Sequence, residues 1–137
     1  MMTGGMCPDT FKAVIPISPA WMIPELCRSG EILGMKFDPK HIPDSVEFDG
    51  WKLSGDYVRV AQTLHPEDEI ARYEGPVFII HGDEDETVPF MYATRALKLY
   101  KNAKLFTIHG DDHCFTRHLD EMADALRDIF KAELKNG

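Results

Sequence analysis

Residues 76–89, PVFIIHGDEDETVP, decide the fold class predicted for this chain. Their first half is a continuous run of β-branched and aromatic residues opened by a proline, which is typical of a buried parallel strand. Their second half begins with Gly82, which permits a sharp exit from the strand, and ends with Pro89, a favoured first residue of a helix. The stretch therefore predicts a strand, a short loop that carries Asp85, and a helix.

A second unit of the same kind follows along the chain. Residues 104–109, KLFTIH, predict another strand, and the loop Gly110-Asp111-Asp112-His113 comes directly after it. Apolar residues at helical spacing predict helices over residues 90–100 and 119–134. Strand, helix, strand and helix with short connections are typical of a parallel βαβ arrangement.

A further strand is predicted upstream, over residues 11–18, FKAVIPIS. Pro16 lies near the end of this strand because proline cannot donate to a sheet ladder. Together these elements predict an α/β fold with about three parallel strands and flanking helices. The core is expected to comprise residues 1–20 and 76–137.

The intervening residues 21–75 are predicted to form a cap or lid insert. Within it, residues 33–37 and 46–53 are expected to pair as a hairpin, and Ser54 is expected to cap a short helix over residues 56–64. An insert at this place in the chain would lie over the carboxyl ends of the strands, where open α/β sheets bind ligands.

Composition excludes several classes of function. With 137 residues and 44% apolar content, the chain suits one globular domain, and its net charge of −8 argues against binding to nucleic acid phosphates. It contains no apolar run of the length a membrane span needs and no secretory leader pattern. Three cysteines without paired spacing favour free thiols, and hence a cytoplasmic location.

Asp85 and His113 are the candidate catalytic residues. Each comes four residues after the histidine that ends its predicted strand, His81 and His109, so both should lie at the same edge of the sheet. A Ser-His-Asp mechanism needs a base that accepts the hydroxyl proton and a carboxylate that orients the imidazole. The two loops therefore predict the acid and the base of such a mechanism.

Simpler interpretations of the same residues remain open. Asp85 could cap the helix that follows it, and His113 could be a hydrogen-bonded core histidine, while His81 and His109 are interpreted as structural. The surrounding acids and histidines could also suggest a metal site. Histidines spaced by four residues bind metal from one face of a helix, whereas these lie on strands and loops, so no metal and no cofactor are predicted.

The serine of a triad is missing from the predicted site. Each of the four serines, Ser18, Ser29, Ser45 and Ser54, lies outside a Gly-x-Ser-x-Gly turn. Ser18 follows the first strand and is the nearest alternative nucleophile, but Pro19 follows it and no glycine flanks it. The chain thus predicts two thirds of a triad.

The chain resembles the C-terminal part of the α/β-hydrolase fold, specifically the cinnamoyl or feruloyl esterase group. The resemblance rests on PVFIIHGDEDETVP, on FTIHGDDHCF, and on KFDPKHIPDSVEF followed by GDYVRVAQTL. It implies that Asp85 is the triad acid, that His113 is the general base, and that Tyr57 contacts the phenolic end of a hydroxycinnamoyl group. Tyr57 could alternatively only pack the cap.

The resemblance also implies that the nucleophile and the oxyanion hole lie upstream of Met1, so that Met1 would be an internal methionine of a truncated gene or a fragment. The predicted function is hydrolysis of a carboxylic ester, with the isolated chain inactive. The alternative is a non-catalytic remnant that acts as a binding or assembly module. The exposed edge of the strand at residues 11–18 predicts self-association, or a partner chain that supplies the missing half.

Overall fold

The computed structural model of the chain describes residues 1–133, which fall into two compact units. Met1–Ala20 and Glu67–Gly137 form one unit, here the core unit, and Trp21–Pro66 form the other, here the insert unit. The described helices are α1 (Met2–Met6), α2 (Ile23–Ser29), α3 (Gly55–Gln62), α4 (Pro66–Arg72), α5 (Met91–Leu99) and α6 (Leu119–Glu133). The described strands are β1 (Glu31–Ile32), β2 (Met35–Lys36), β3 (Ser45–Phe48), β4 (Trp51–Ser54), β5 (Val77–Gly82) and β6 (Ala103–Ile108).

A parallel strand pair forms the centre of the core unit. β5 pairs with β6 from Val77 opposite Ala103 to Gly82 opposite Ile108, and α5 makes the crossover that a parallel pair requires. Every residue of β5 is buried, as its continuous apolar run predicts. Because Gly82 and Ile108 are partners in register, the loops that follow the two strands leave the sheet side by side.

The predicted first strand is an extended segment that pairs in parallel with β5 at two positions. Val14 pairs with Val77 and Ile17 with Ile80, and the amide of Ser18 donates to the carbonyl of Ile80 at 2.9 Å. Between these positions Pro16 accepts a hydrogen bond from Ile80 but has no N–H to donate. The proline therefore interrupts the ladder, which explains why the pairing appears as two bridges.

The sheet packs against the long C-terminal helix. α6 contributes Ile129 to a buried cluster that contains Phe78 and Ile80 of β5, Ile108 of β6, and Phe115. The predicted helices over residues 90–100 and 119–134 are confirmed by α5 and α6, with Leu134 outside the described residues. Burial of one apolar stripe holds α6 against the strands.

The insert unit contains two short hairpins, and the predicted hairpin between residues 33–37 and 46–53 is wrong. β1 pairs with β2 through Leu33-Gly34, and β3 pairs with β4 through Asp49-Gly50. All four turn residues have positive φ angles between 49° and 79°, the conformation that a two-residue hairpin turn requires. Each turn closes its own hairpin locally, so the longer-range pairing does not form.

Helices complete the insert unit. The predicted cap of α3 is confirmed, since the amide of Asp56 donates to Ser54 Oγ at 3.2 Å. The core of this unit contains Cys27, Ile32, Met35, Val46, Val58 and Ala61. Its interpretation as a cap, and the predicted boundary at residue 75, stay predictions.

Two further observations concern the cysteine thiols and the length of the apolar helices. The cysteines Cys7, Cys27 and Cys114 are free thiols, and only Cys27 is buried. Within residues 1–133 no helix combines the length and the apolar character that crossing a bilayer demands.

Candidate active site

Asp85 and His113 lie on two loops that hydrogen bonds join to each other. The amide of Glu84 donates to the carbonyl of Asp111 at 3.0 Å, and the amide of Gly110 donates to Asp83 Oδ1 at 2.7 Å. These bonds, one to a carbonyl group and one to a side-chain carboxylate, connect the loop after β5 to the loop after β6 and set the positions of the two candidate residues.

Gly82 allows the two loops to come this close. A Cβ atom at this position would lie 2.4 Å from the carbonyl oxygen of Asp111 and 2.8 Å from that of Asp112. Both neighbours are backbone atoms and have little room to move. Glycine is therefore required here by close approach of the chain.

The carboxylate of Asp85 is buried, and each of its oxygens has defined neighbours. Oδ1 accepts hydrogen bonds from the amides of Thr87 at 2.9 Å and Val88 at 2.7 Å. Oδ2 lies 2.8 Å from Nδ1 of His113 and 3.0 Å from Nε2 of His81. A carboxylate held in this way keeps one orientation, since its amide donors are fixed by the loop.

His113 presents its other ring nitrogen away from Asp85. The side chain is 33% exposed, and within residues 1–133 its Nε2 has no hydrogen-bond partner. Because Oδ2 of Asp85 only accepts, the proton of a neutral imidazole resides on Nδ1 and leaves Nε2 able to accept a proton. This is the tautomer that a general base of the Ser-His-Asp type needs.

Ser18 contacts the backbone of His113. Its hydroxyl donates to the carbonyl of His113 at 3.1 Å, and the residue is buried with a φ angle of 40°. The hydroxyl proton of Ser18 is thus directed to a carbonyl oxygen and not to the imidazole, so Ser18 anchors the loop that carries His113.

Two carboxylates organise the same loop. Burial acts to raise the pKa of Asp111, but hydrogen bonds from the amides of Arg117, Asp112 and His118 outweigh it and hold the pKa below the ordinary value of 3.8. The pKa of Asp112 is lowered chiefly by hydrogen bonds from the hydroxyl and the amide of Thr116. Both groups therefore stabilise the loop in their ionised forms.

An open cavity of about 700 Å³ lies beside the pair. Asp85 and His113 contribute to its wall, and the other lining residues are polar or charged, with the exception of Cys114: Asp83, Glu84, Glu86, Thr87, Asp112, Thr116 and Arg117. Hydrogen bonding to Glu84 raises the pKa of Arg117, so the guanidinium is charged and partnered. The cavity gives a small molecule access to His113.

The remaining predicted site residue, Tyr57, lies on α3 of the insert unit and is 45% exposed. Its predicted contact with a substrate stays a prediction. Among residues 1–133, no group of three or more metal-binding side chains comes together.

Sequence reasoning missed the contributions of His81 and Ser18 to this site. The ring of His81 is fully buried against Asp85, whereas the sequence predicted a structural residue at the end of a strand and no contact with the candidate acid. The available signal was its position just before the glycine of the loop, which places its side chain next to the returning segment. Ser18 had a similar signal, since it ends the strand that pairs with β5.

No family model matches the sequence, and no curated protein matches it. Solved structures do match. Est1E from Butyrivibrio proteoclasticus shares 48% identity over 98% of this chain with a TM-score of 0.94, and one of its structures has ferulic acid bound. The chain spans little more than half of Est1E, 56% and 54% in the two structures.

More distant structures share the fold alone. The esterase domain of a Rhodothermus marinus protein has 18% identity and a TM-score of 0.62. The matched region covers 90% of this chain and 51% of the Rhodothermus chain. The α/β hydrolase domain-containing protein 10 from mouse has 14% identity and a TM-score of 0.69, with 95% and 56% covered. The chain therefore has a partial α/β-hydrolase fold.

Proposed function

Because the chain resembles the C-terminal part of an α/β-hydrolase of the cinnamoyl or feruloyl esterase group, we propose that it supplies the acid and the base for hydrolysis of a carboxylic ester. His113 is the general base and Asp85 orients it. The observation that carries this proposal is the 2.8 Å contact between His113 Nδ1 and Asp85 Oδ2, with Nε2 of His113 facing away from the acid.

The chemistry follows the acyl-enzyme route. His113 Nε2 removes the proton of a serine hydroxyl while the serine oxygen bonds to the ester carbonyl carbon, and the resulting imidazolium is stabilised by Asp85. His113 then gives this proton to the departing alcohol. Water repeats the sequence on the acyl-enzyme, which releases the acid and restores the serine.

We propose that residues outside this sequence provide the nucleophile. The hydroxyl of Ser18 donates a hydrogen bond to the His113 carbonyl. The other serine hydroxyls have partners within the insert unit: Ser29 donates to Leu26, Ser45 donates to Glu47, and Ser54 accepts from the amide of Asp56. In α/β-hydrolases the residue after the nucleophile also supplies an oxyanion donor. The isolated chain is therefore expected to lack catalysis, since most transition-state stabilisation comes from such donors.

The proposed substrate is an ester of a hydroxycinnamic acid. Support comes from the ferulic acid in an Est1E structure, together with 48% identity over 98% of this chain. Tyr57 is proposed to contact the phenolic ring, which its partial exposure permits. An aromatic side chain with a hydroxyl suits such a ligand because it combines ring packing with hydrogen bonding.

The unpaired edge of the segment that pairs with β5 is the proposed docking surface for the chain that carries the nucleophile. The backbone groups of Ala13 and Ile15 point away from β5 and make no hydrogen bond to a described residue, and the nearby side chains Phe11 and Ile17 are 40% and 42% exposed. Such an edge binds another strand readily. The proposed occupant is a parallel strand of the polypeptide that corresponds to the rest of Est1E.

The test is complementation. Methyl ferulate and a nitrophenyl ester are offered to the purified chain alone, and to the chain mixed with the polypeptide that covers the rest of Est1E, here the complementing polypeptide. We expect turnover only in the mixture. Turnover by the chain alone that disappears in His113→Ala would contradict the external nucleophile.

Analytical ultracentrifugation tests the partner separately. The chain is expected to form a one-to-one complex with the complementing polypeptide. A stable monomer that does not bind the complementing polypeptide at micromolar concentration would contradict the docking proposal. A homodimer would show that the edge binds a second copy of this chain instead.

The second candidate function is that of a non-catalytic remnant that serves as a binding or assembly module. The specific observation in its favour is the same unpaired edge, because an assembly role needs the edge but not the imidazole. Complex formation without hydrolysis, in a mixture whose complementing polypeptide is folded, would favour this candidate.

A further inference from the structure

His81 makes two contacts that define the state of its ring. It is completely buried near the end of β5, and its Nε2 lies 2.8 Å from the carbonyl oxygen of Val88 and 3.0 Å from Asp85 Oδ2. A carbonyl oxygen only accepts hydrogen bonds, so the proton of the neutral ring must lie on Nε2. The donated bond is aimed at Val88, and Oδ2 of Asp85 lies beside the same N–H.

The other ring nitrogen restricts the charge of His81. Its Nδ1 is buried and has no hydrogen-bond partner among the described residues. Protonation there would place an N–H without an acceptor in the interior, which is costly. These contacts therefore favour the neutral Nε2–H tautomer of His81.

His81 and Asp85 hold the same peptide segment from two sides. The amide of Val88 donates to Asp85 Oδ1 at 2.7 Å, and the carbonyl of Val88 accepts from His81 Nε2 at 2.8 Å. A closed set of contacts thus runs from His81 through Val88 to the carboxylate and back to the ring. If the N–H of His81 were lost, Val88 would lose one of its two anchors and Oδ2 would lose its second polar neighbour.

We propose that His81 is a positioning residue that orients the carboxylate of Asp85 toward His113. The inference deepens the proposed function and rests on it, since the orientation matters for catalysis only if His113 is the base. His81 fixes the loop that carries Asp85 through its hydrogen bond to the Val88 carbonyl, and the same N–H lies 3.0 Å from Oδ2 of Asp85.

Packing alone is the competing explanation, because the His81 ring lies 5.9 Å from the Phe90 ring in an edge-to-face arrangement. Two variants separate the explanations. Gln and Met have similar length and flexibility, and neither keeps the ring, but only Gln retains an N–H that can reach the place of Nε2. His81→Met therefore lacks the N–H donor, whereas His81→Gln keeps one.

The experiment is nuclear magnetic resonance on the full 137-residue chain. In the unmodified protein, nitrogen–proton correlation spectra should show His81 as the neutral Nε2–H tautomer, and His113 should show a strongly downfield Nδ1 proton from its bond to Asp85. We expect that downfield resonance to be lost in His81→Met and retained in His81→Gln.

Several results would overturn the proposal: an Nδ1–H or doubly protonated His81, a His113 resonance unchanged in His81→Met, or a resonance lost equally in both variants. If His81→Met fails to fold, the proposal is still tested by the tautomer of His81 in the unmodified protein and by the His113 resonance in His81→Gln. None of these readouts requires ester hydrolysis, so a failed complementation assay and a failed positioning role are distinguishable.

Discussion

Nδ1 of His113 lies 2.8 Å from Oδ2 of Asp85, although 28 residues separate them along the chain. The register of β5 with β6 brings them together, since Gly82 and Ile108 are partners at the ends of these strands. Hydrogen bonds between the two loops then complete the placement.

Replacing Asp85 by Asn should abolish the orientation of His113 with little change in shape. The amide group can present an N–H where the carboxylate accepted one, so the imidazole loses the tautomer that leaves Nε2 unprotonated. We expect kcat of the complemented chain to fall by about 10⁴-fold. The measurement is methyl ferulate hydrolysis, and a loss smaller than tenfold would show that Asp85 does not orient the base.

Replacing Gly82 by Ala should destabilise the core unit. The added methyl group would meet backbone oxygens at 2.4 and 2.8 Å, and we expect the free energy of unfolding to fall by about 3 kcal/mol. Gly50→Ala is the control, because a Cβ atom at this position would meet no other residue within 4 Å apart from its chain neighbours. This variant carries only the penalty of its positive φ, about 1 kcal/mol. Urea unfolding of both variants gives the comparison, and equal losses would contradict the close approach of the two loops.

Asp111 should make the chain sensitive to acid. Its folded pKa lies below the ordinary value of 3.8, so its carboxylate stabilises the folded chain fully above about pH 4 and loses this effect as the pH falls through the folded pKa. The stability difference between the unmodified chain and Asp111→Asn should therefore be constant near neutral pH and shrink in acid. Urea unfolding across this range is the measurement, and a difference that grew in acid would contradict the direction of the shift.

Replacing Ser18 by Ala should test the role of its hydroxyl as an anchor. Loss of the hydrogen bond to the His113 carbonyl should reduce the free energy of unfolding by about 1 kcal/mol. Turnover of the complemented chain should fall by less than tenfold, and a fluorophosphonate probe should not label Ser18. Covalent labelling of Ser18, or complete loss of turnover in Ser18→Ala, would identify it as the nucleophile instead.

Elements with long and regular patterns were predictable from the sequence. β5, β6, α5 and α6 follow from continuous apolar runs or from apolar residues at helical spacing, which remain visible in any tertiary context. The contact between Asp85 and His113 followed from equal offsets after two strands. Such inferences succeed because parallel strands align their carboxyl ends.

The short strands of the insert unit were predicted less well, because their pairing is set by two-residue turns and not by the apolar pattern. Asp49-Gly50 is a strong two-residue turn signal, and it closes β3 with β4 more locally than the pairing with residues 33–37 that the apolar pattern favoured. The seven-residue helices α2 and α4 were missed, because each carries a proline in its first turn and is too short for clear periodicity. The contact of His81 with Val88 arises when the loop returns to the sheet, and no local pattern encodes it.

A matched pair of histidines tests whether His113 acts as the base of an ester hydrolase. His109 contacts Asp83 at 2.8 Å through the same atoms that join His113 to Asp85, but its side chain is 84% exposed. The measurement is kcat for methyl ferulate in the chain mixed with the complementing polypeptide. We expect kcat to fall by at least about 10⁴-fold in His113→Ala and by less than tenfold in His109→Ala. Equal activity in the two variants would contradict the role of His113 as the base.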